Sequence, residues 1–478
     1  MEKGRQWENG GGGGSRIDIS GAAVFLREII VIGAGLAGLT VAISLQEAGH
    51  KVTVLENAPQ ITYIGAGIQV SSNSSRILRR LGVDKHIEKY CTEPVDLRMM
   101  RWQDGQILVE CPLQKPALEE YGSPYWHIHR ADLHRGLSAR AAELGIAVHL
   151  NSRVVDVEPA VPAVTTQAGK RYTADLVVAS DGLHSICREI VLGHKSPPNP
   201  TGQMVYRVTV PARKLAHRPE LREFTTVPRN NHWIGPHATI LSYLLEGVNE
   251  PLVNFVFTCD ARAERLPEGI NTKVGTNADV RAAFKDWDPR IDAMLSEVDE
   301  VLEWRLFTHH EIPHWAHGAN KLVLIGDAAH AMTPYLAQGA AMGIEDAAVL
   351  GGVLAQPEFK DQPAALPQAL QLYEQLRIKR AARVAEASIS SRWFTQMDDG
   401  PEQQERDAYL LAHPGIHPNH INIRSRKEFL DELFGYDAYV ELDKALAAMR
   451  ANGGVVAAAA AAAEKTNGAV ATTVPVKA

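Results

Sequence analysis

Hydrophobic and polar positions follow two different rhythms along this chain. Residues 28–32 read Glu-Ile-Ile-Val-Ile, an almost unbroken apolar run that predicts a strand buried on both faces. Leu36, Leu39 and Ile43 then fall at helical spacing. Residues 51–55 predict the next strand, and 147–150, 174–179 and 321–325 predict later ones. Leu366, Leu370, Tyr373 and Leu376 return to helical spacing. Strands alternating with helices predict an α/β, Rossmann-like domain. Residues 201–300 break this rhythm. The runs 203–211, 238–245 and 253–258 are rich in β-branched and aromatic residues, and they predict an inserted, mainly antiparallel sheet.

The organisation that follows is discontinuous. Residues 27–200 and 301–390 form the nucleotide-binding domain, 201–300 the inserted sheet, and 391–452 a C-terminal helical region. Residues 1–26, with glycines at 10–14, predict a flexible leader, and 453–478 predict a disordered tail.

Composition narrows the class. The chain has 478 residues, 45% of them hydrophobic, which is enough for a large core. A net charge of −7 without a basic run argues against a nucleic-acid partner. Cys91, Cys111, Cys187 and Cys259 are far apart and form no C-x-x-C, so neither a disulfide framework nor a zinc site is expected. That usage implies a reducing, cytoplasmic setting. The apolar stretch 29–45 is interrupted by Gly33, Gly35 and Gly38, and the alanine run 457–463 is short, so no membrane span is expected.

The most specific local motif is Gly33-Ala-Gly35-Leu-Ala-Gly38, placed between the first strand and the first helix, with Glu56 ending the second strand. Gly33 permits the tight turn, Gly35 lets a pyrophosphate approach the backbone, and Gly38 lets helix and sheet pack closely. The helix N-terminus attracts phosphate, and the Glu56 carboxylate can accept hydrogen bonds from a ribose.

Further motifs follow in order: Gly65-Ala-Gly67-Ile-Gln69 with Asn73, His129-Arg130-Ala-Asp132-Leu133, Ala179-Ser-Asp181-Gly182 with Ser185 and Arg188, and Gly326-Asp327-Ala-Ala-His330 with Pro334 and Gln338-Gly339-Ala340-Ala341. Over about residues 28–390 the chain resembles the FAD-dependent aromatic-ring monooxygenases of the salicylate hydroxylase type, within the para-hydroxybenzoate hydroxylase superfamily. The resemblance implies FAD as cofactor and NADH or NADPH as a transient co-substrate, since only one dinucleotide fingerprint is present. It implies that Asp327 bonds the ribityl chain, that Arg130 holds FAD on its phosphate and ribityl side, and that Gly67 and Gln69 pass close to the adenosine half. It places the Gly339 and Ala340 amides at the pyrimidine end of the flavin, and it associates Asp181 with both FAD and NAD(P)H. The chain departs from the family at Tyr63, where Glu is usual, and at Ser71 and Ser72, where prolines are common. Both departures touch loop shape.

Within the insert, Arg207 and Tyr243 match positions where related phenol hydroxylases carry active-site Arg and Tyr residues. Arg207 would favour a phenolate by charge, and Tyr243 would donate or relay a proton. His232 and Trp233 are further candidates for the same cavity. The reaction implied is hydroxylation of a small phenolic or salicylate-like aromatic by O2 through a flavin C4a-hydroperoxide, with CO2 lost from an ipso carboxylate. Epoxidation or another flavin oxidation of a non-phenolic substrate stays open, as does a flavin-binding protein without turnover. The chain would act as a monomer or homodimer. His310-Glu-Ile-Pro-His314 spells the H-E-x-x-H zinc motif, but that motif needs one helical face, and Pro313 breaks the helix. No metal is expected.

Overall fold

The computed structural model describes residues 26–60, 66–261, 272–298, 300–360 and 362–452, with the backbone of two short paired strands, Arg16–Ile17 and Ala23–Val24. The expected leader falls almost wholly, and the expected tail wholly, outside the described residues, as do Tyr63 and Gly65.

Five strands form a parallel sheet in the order Leu322–Leu324, Leu176–Ala179, Glu28–Ile32, Lys51–Leu55 and Ala147–His149. Residues 29–32 of the central strand are buried on both faces, as an unbroken apolar run requires. Helices Leu36–Glu47 and Gly339–Leu354 pack against each other, and the first also meets helix Arg130–Glu143. One hydrophobic core joins these elements.

A second sheet has eight strands, in the order Thr272–Gly275, Val301–Thr308, Asn199–Pro211, Leu252–Asp260, Ala238–Leu245, Asn230–Gly235, Asp96–Arg101 and Ile107–Pro112. Its neighbours are antiparallel except Asn230–Gly235 with Asp96–Arg101, which run parallel. The sheet therefore reaches beyond 201–300 at both ends. Its two extra strands from residues 96–112 carry Asp96, Arg98, Arg101 and Glu110, and this charge hides the strand pattern.

Strict alternation sorts the two faces of this sheet. Met204, Tyr206, Val208 and Val210 join Phe255, Phe257 and Ile240 in a second core beneath helices Asn277–Ala283 and Pro289–Leu295. Arg207 lies between those positions and faces the other way. Across the ladder Arg207 meets Val256, Val256 meets Leu241, and Tyr243 follows two residues on, so all four share one face.

Trp233 is not on that face. It pairs with Ile240 and belongs to the second core, where its indole Nε1 donates to Asp288 Oδ2 at 2.8 Å. The expectation that it lines the cavity fails because its strand register turns it away. His232 pairs with Leu241 and so shares the cavity side of the sheet, but it is buried and is not among the residues that line the chamber. Trp233→Ala should therefore destabilise the fold by about 3–5 kcal/mol. A thermal melt checks this, with Trp233→Phe losing less; an unchanged melting temperature for the alanine variant would contradict the placement.

Candidate active site

The fingerprint turn is built as its glycines require. Gly33 has φ +96°, a left-handed conformation, and its N–H donates to the Leu55 carbonyl at 2.8 Å. A Cβ on Gly38 would sit 2.0 Å from the Gly33 carbonyl oxygen, so only glycine lets the helix start here. A Cβ on Gly35 would meet nothing within 4 Å, which leaves the backbone open to a ligand. Glu56 spans the turn from the next strand. Its Oε2 accepts the Ala34 N–H at 2.7 Å and its Oε1 the Ala58 N–H at 2.8 Å. His134, one turn into the Arg130 helix, bonds the Ala34 carbonyl at 2.7 Å, a contact sequence reasoning did not foresee.

From this turn runs a groove of about 250 Å³, walled by Gly35, Gly38, Arg130, Gly182, Gly326, Asp327, Gly339 and Ala340. It shares Asp327, Gly339 and Ala340 with a chamber of about 220 Å³. That chamber is lined by Gly67, Ile68, Gln69, Arg207, Leu241, Tyr243, Val256 and Met332. The structure thus gathers Gly35, Gly38, Arg130, Asp327, Gly339 and Ala340 around one groove, and it joins Arg207 and Tyr243 to the end of that groove. Gly33 and Glu56 shape the turn from which the groove runs. Gly67 and Gln69, which the resemblance put close to the adenosine half of the cofactor, line the chamber and not the groove. Asp181 is occupied elsewhere: it accepts from Ser185 Oγ at 2.6 Å and from the Cys187 N–H at 3.3 Å, capping helix Ile186–Leu192. Its neighbours Ser180 and Gly182 reach the groove instead.

The charges fit an anionic dinucleotide. Helix Gly339–Leu354 begins with no side-chain cap and no acidic residue in its first turn, so its N–H groups and dipole face the groove. Surrounding protein lowers the pKa of Arg130, and nearby Asp327 opposes this. The same enclosure raises that of Asp327, against the pull of His330 and Arg130. The open Gly35 backbone, the uncapped helix and the Arg130–Asp327 pair therefore fit the phosphate and sugar-alcohol parts of FAD.

In the chamber, Arg207 Nε has no hydrogen-bond partner. The guanidinium stands 5.5 Å from the centre of the Trp304 ring. Burial lowers its pKa, Tyr243 partly offsets this, and an arginine stays charged regardless. Burial pushes the Tyr243 hydroxyl up and Arg207 pulls it down, so the phenol is protonated at neutral pH. Tyr243 is pressed against Gly67, where a Cβ would lie 2.6 Å from its ring. Asn254, directly across the ladder from Tyr243, accepts the Gly67 N–H at 2.7 Å. Asn254 went unnoticed in the sequence, although strand alternation from Val256 could have found it. The His310–His314 segment is not helical, and among the described residues no cluster of ligating side chains could hold a metal.

A dinucleotide groove that joins a chamber carrying Arg207 and Tyr243 under a second sheet fits a flavin-dependent oxidoreductase with a small-molecule substrate. The comparisons place it further. The profile of the family described as "FAD binding domain" matches residues 27–388. An FAD-dependent monooxygenase, OpS4, of Beauveria bassiana is 34% identical over 424 residues, covering 88% of this chain and 97% of that protein. A 3-amino-4-hydroxybenzoate 2-monooxygenase of Streptomyces platensis is 36% identical over 381 residues, covering 79% of this chain and 91% of that protein. A solved salicylate hydroxylase substrate complex shares the fold, with a TM-score of 0.72, 23% identity and coverage of 88% and 98%. The chain belongs to the FAD-dependent aromatic-ring monooxygenases, a family that reduces its flavin with NAD(P)H. No helix among the described residues is long and apolar enough to cross a membrane.

Glu56→Ala should weaken FAD retention roughly ten- to a hundredfold, the value of a lost charged hydrogen bond. Flavin released per mole of protein after gel filtration measures this. Full flavin content at low FAD would show that Glu56 only braces the turn.

Proposed function

We propose that this enzyme hydroxylates a small phenolic or salicylate-like aromatic, using NAD(P)H and O2. The observation that carries the reading is the half-buried Arg207 guanidinium, which lines the chamber beside Tyr243 and makes no ion pair with a carboxylate among the described residues. FAD, reduced by NAD(P)H, supplies the electrophilic oxygen atom from O2. Arg207 supplies the positive charge that lowers the cost of a phenolate, the form of the ring richest in electrons. Tyr243 offers a protonated hydroxyl from the same sheet face and can orient the ring oxygen or take part in its proton transfer. Leu241, Val256 and Met332 wall the chamber with apolar surface and limit water. The free N–H groups at Gly339 and Ala340 favour negative charge at the junction of groove and chamber.

Relatives support the substrate class. Those named for 3-amino-4-hydroxybenzoate, 6-hydroxynicotinate and 3-hydroxybenzoate, at 31–36% identity, are all named for hydroxylated aromatic acids. A substrate with no anionic group would leave Arg207 without a charge to hold. The four unlinked thiols support a reducing, cytoplasmic setting.

Arg207→Met should keep FAD and slow oxygen transfer roughly ten- to a hundredfold, as expected for one lost charged hydrogen bond. Tyr243→Phe should cost less if Tyr243 only orients the ring and more if it relays a proton. The measurement is hydroxylated product formed per NAD(P)H consumed, with H2O2 and bound FAD followed in parallel. Full coupling at the wild-type rate in Arg207→Met would remove the phenolate role. Loss of FAD would put Arg207 on the wrong side of the chamber.

A further inference from the structure

Arg207 Nε is not the chamber's one unanswered donor. Gln69 is 5% exposed, it lines the chamber, and its Nε2 has no partner among the described residues. The other end of the same amide is fixed, because Gln69 Oε1 accepts the Tyr125 hydroxyl at 2.6 Å. With Oε1 assigned to the Tyr125 hydroxyl, the nitrogen is the end of the buried amide that has no partner. A buried amide donor of this kind destabilises the site until something accepts from it.

The backbone shows which part of the chamber Gln69 serves. On the two-stranded ribbon of Gly67–Val70 and Trp126–His129, Gln69 stands directly across from His127. The His127 ring packs on the Tyr243 ring with centroids 4.3 Å apart, and Gly67 touches Tyr243 from the same ribbon. Gln69 therefore belongs to the Tyr243 side. The junction with the groove has its own donors in the amides at Gly339 and Ala340.

We propose that the Gln69 carboxamide, locked by Tyr125, is a specificity-determining donor for the substrate. It selects rings that carry a second acceptor, a carboxylate first among them, besides the phenol oxygen met by Arg207. The inference rests on the proposed function and narrows it. A methyl group in place of the carboxylate would leave the amide buried and unpaired, and this is how a polar pocket rejects an apolar analogue.

The test titrates the FAD-loaded enzyme with the three hydroxybenzoate isomers and the three matching cresols, reading dissociation constants from the flavin absorbance. Wild-type enzyme should bind at least one hydroxybenzoate about tenfold or more tightly than its cresol. Gln69→Leu should lose most of that preference while its cresol affinity and flavin content hold, and Tyr125→Phe should lose part of it because the amide can then turn. An unchanged preference in Gln69→Leu overturns the proposal. So does release of FAD from that variant, which would assign the amide to the cofactor. Wild-type enzyme that binds and hydroxylates cresols and hydroxybenzoates alike also overturns it, yet leaves the proposed function standing. Failure to hydroxylate any phenol counts against the function itself.

Discussion

Arg377 lies between Glu345 and Asp346 with all three side chains removed from solvent. Its Nη1 donates to Glu345 at 2.6 Å and its Nε to Asp346 at 2.8 Å. Burial pushes both carboxylates up, but Arg380 and Arg377 beside Glu345, and His330 and Arg377 beside Asp346, hold them below their usual range. Three desolvated charges are expensive, and the arrangement persists because each is answered; breaking such a set typically costs about 3–5 kcal/mol. The groove depends on it. Asp346 accepts the Gly326 N–H at 2.9 Å and so fixes the turn before Asp327. Glu345 accepts from Asn73, which also donates to Gln338, the residue that opens the Gly339 helix. Ser71 joins them by accepting from Gln338 Nε2 at 2.9 Å, so a hydroxyl does work here that proline could not. One buried guanidinium, on helix Leu366–Thr395, thus holds two separate walls of the groove in register.

The chamber depends on a second constraint, the close approach of two sheets that belong to different cores. The parallel sheet brings Asp327 and the Gly339 helix to one side. The larger sheet brings Arg207, Val256, Leu241 and Tyr243 to the other, because alternation commits the opposite face to Tyr206, Phe255 and Phe257. Between them the Gly67–Val70 ribbon fits only because Gly67 has no side chain to strike Tyr243. A charge at Arg207 is tolerable in this place because it faces a cavity and not the packed core.

Much of this was legible in the chain itself. The fingerprint, its strands and the helix that follows it come from local rules, because glycine positions and apolar runs encode them directly. Arg207 and Tyr243 were found by resemblance, and the strand pattern at 203–211 and 238–245 agrees with the face they occupy. Local rules do not carry distance. The two strands from 96–112 were hidden by their charges, and Trp233 was misplaced because its direction depends on a register that only its partners set. Gln69 was expected beside the adenosine half, and the structure places it in the chamber wall; its ribbon partner His127 lies 58 residues away in the chain. The Arg377 network joins residues from 71 to 377, and no single segment shows it.

Oxygen bookkeeping tests the central claim most directly. Turnover of a hydroxybenzoate with NAD(P)H under 18O2, in unlabelled water, should give a product that carries one new 18O atom. Label present in H2O2 alone, or a product oxygen that comes from water, would contradict the account of this chain as an aromatic hydroxylase.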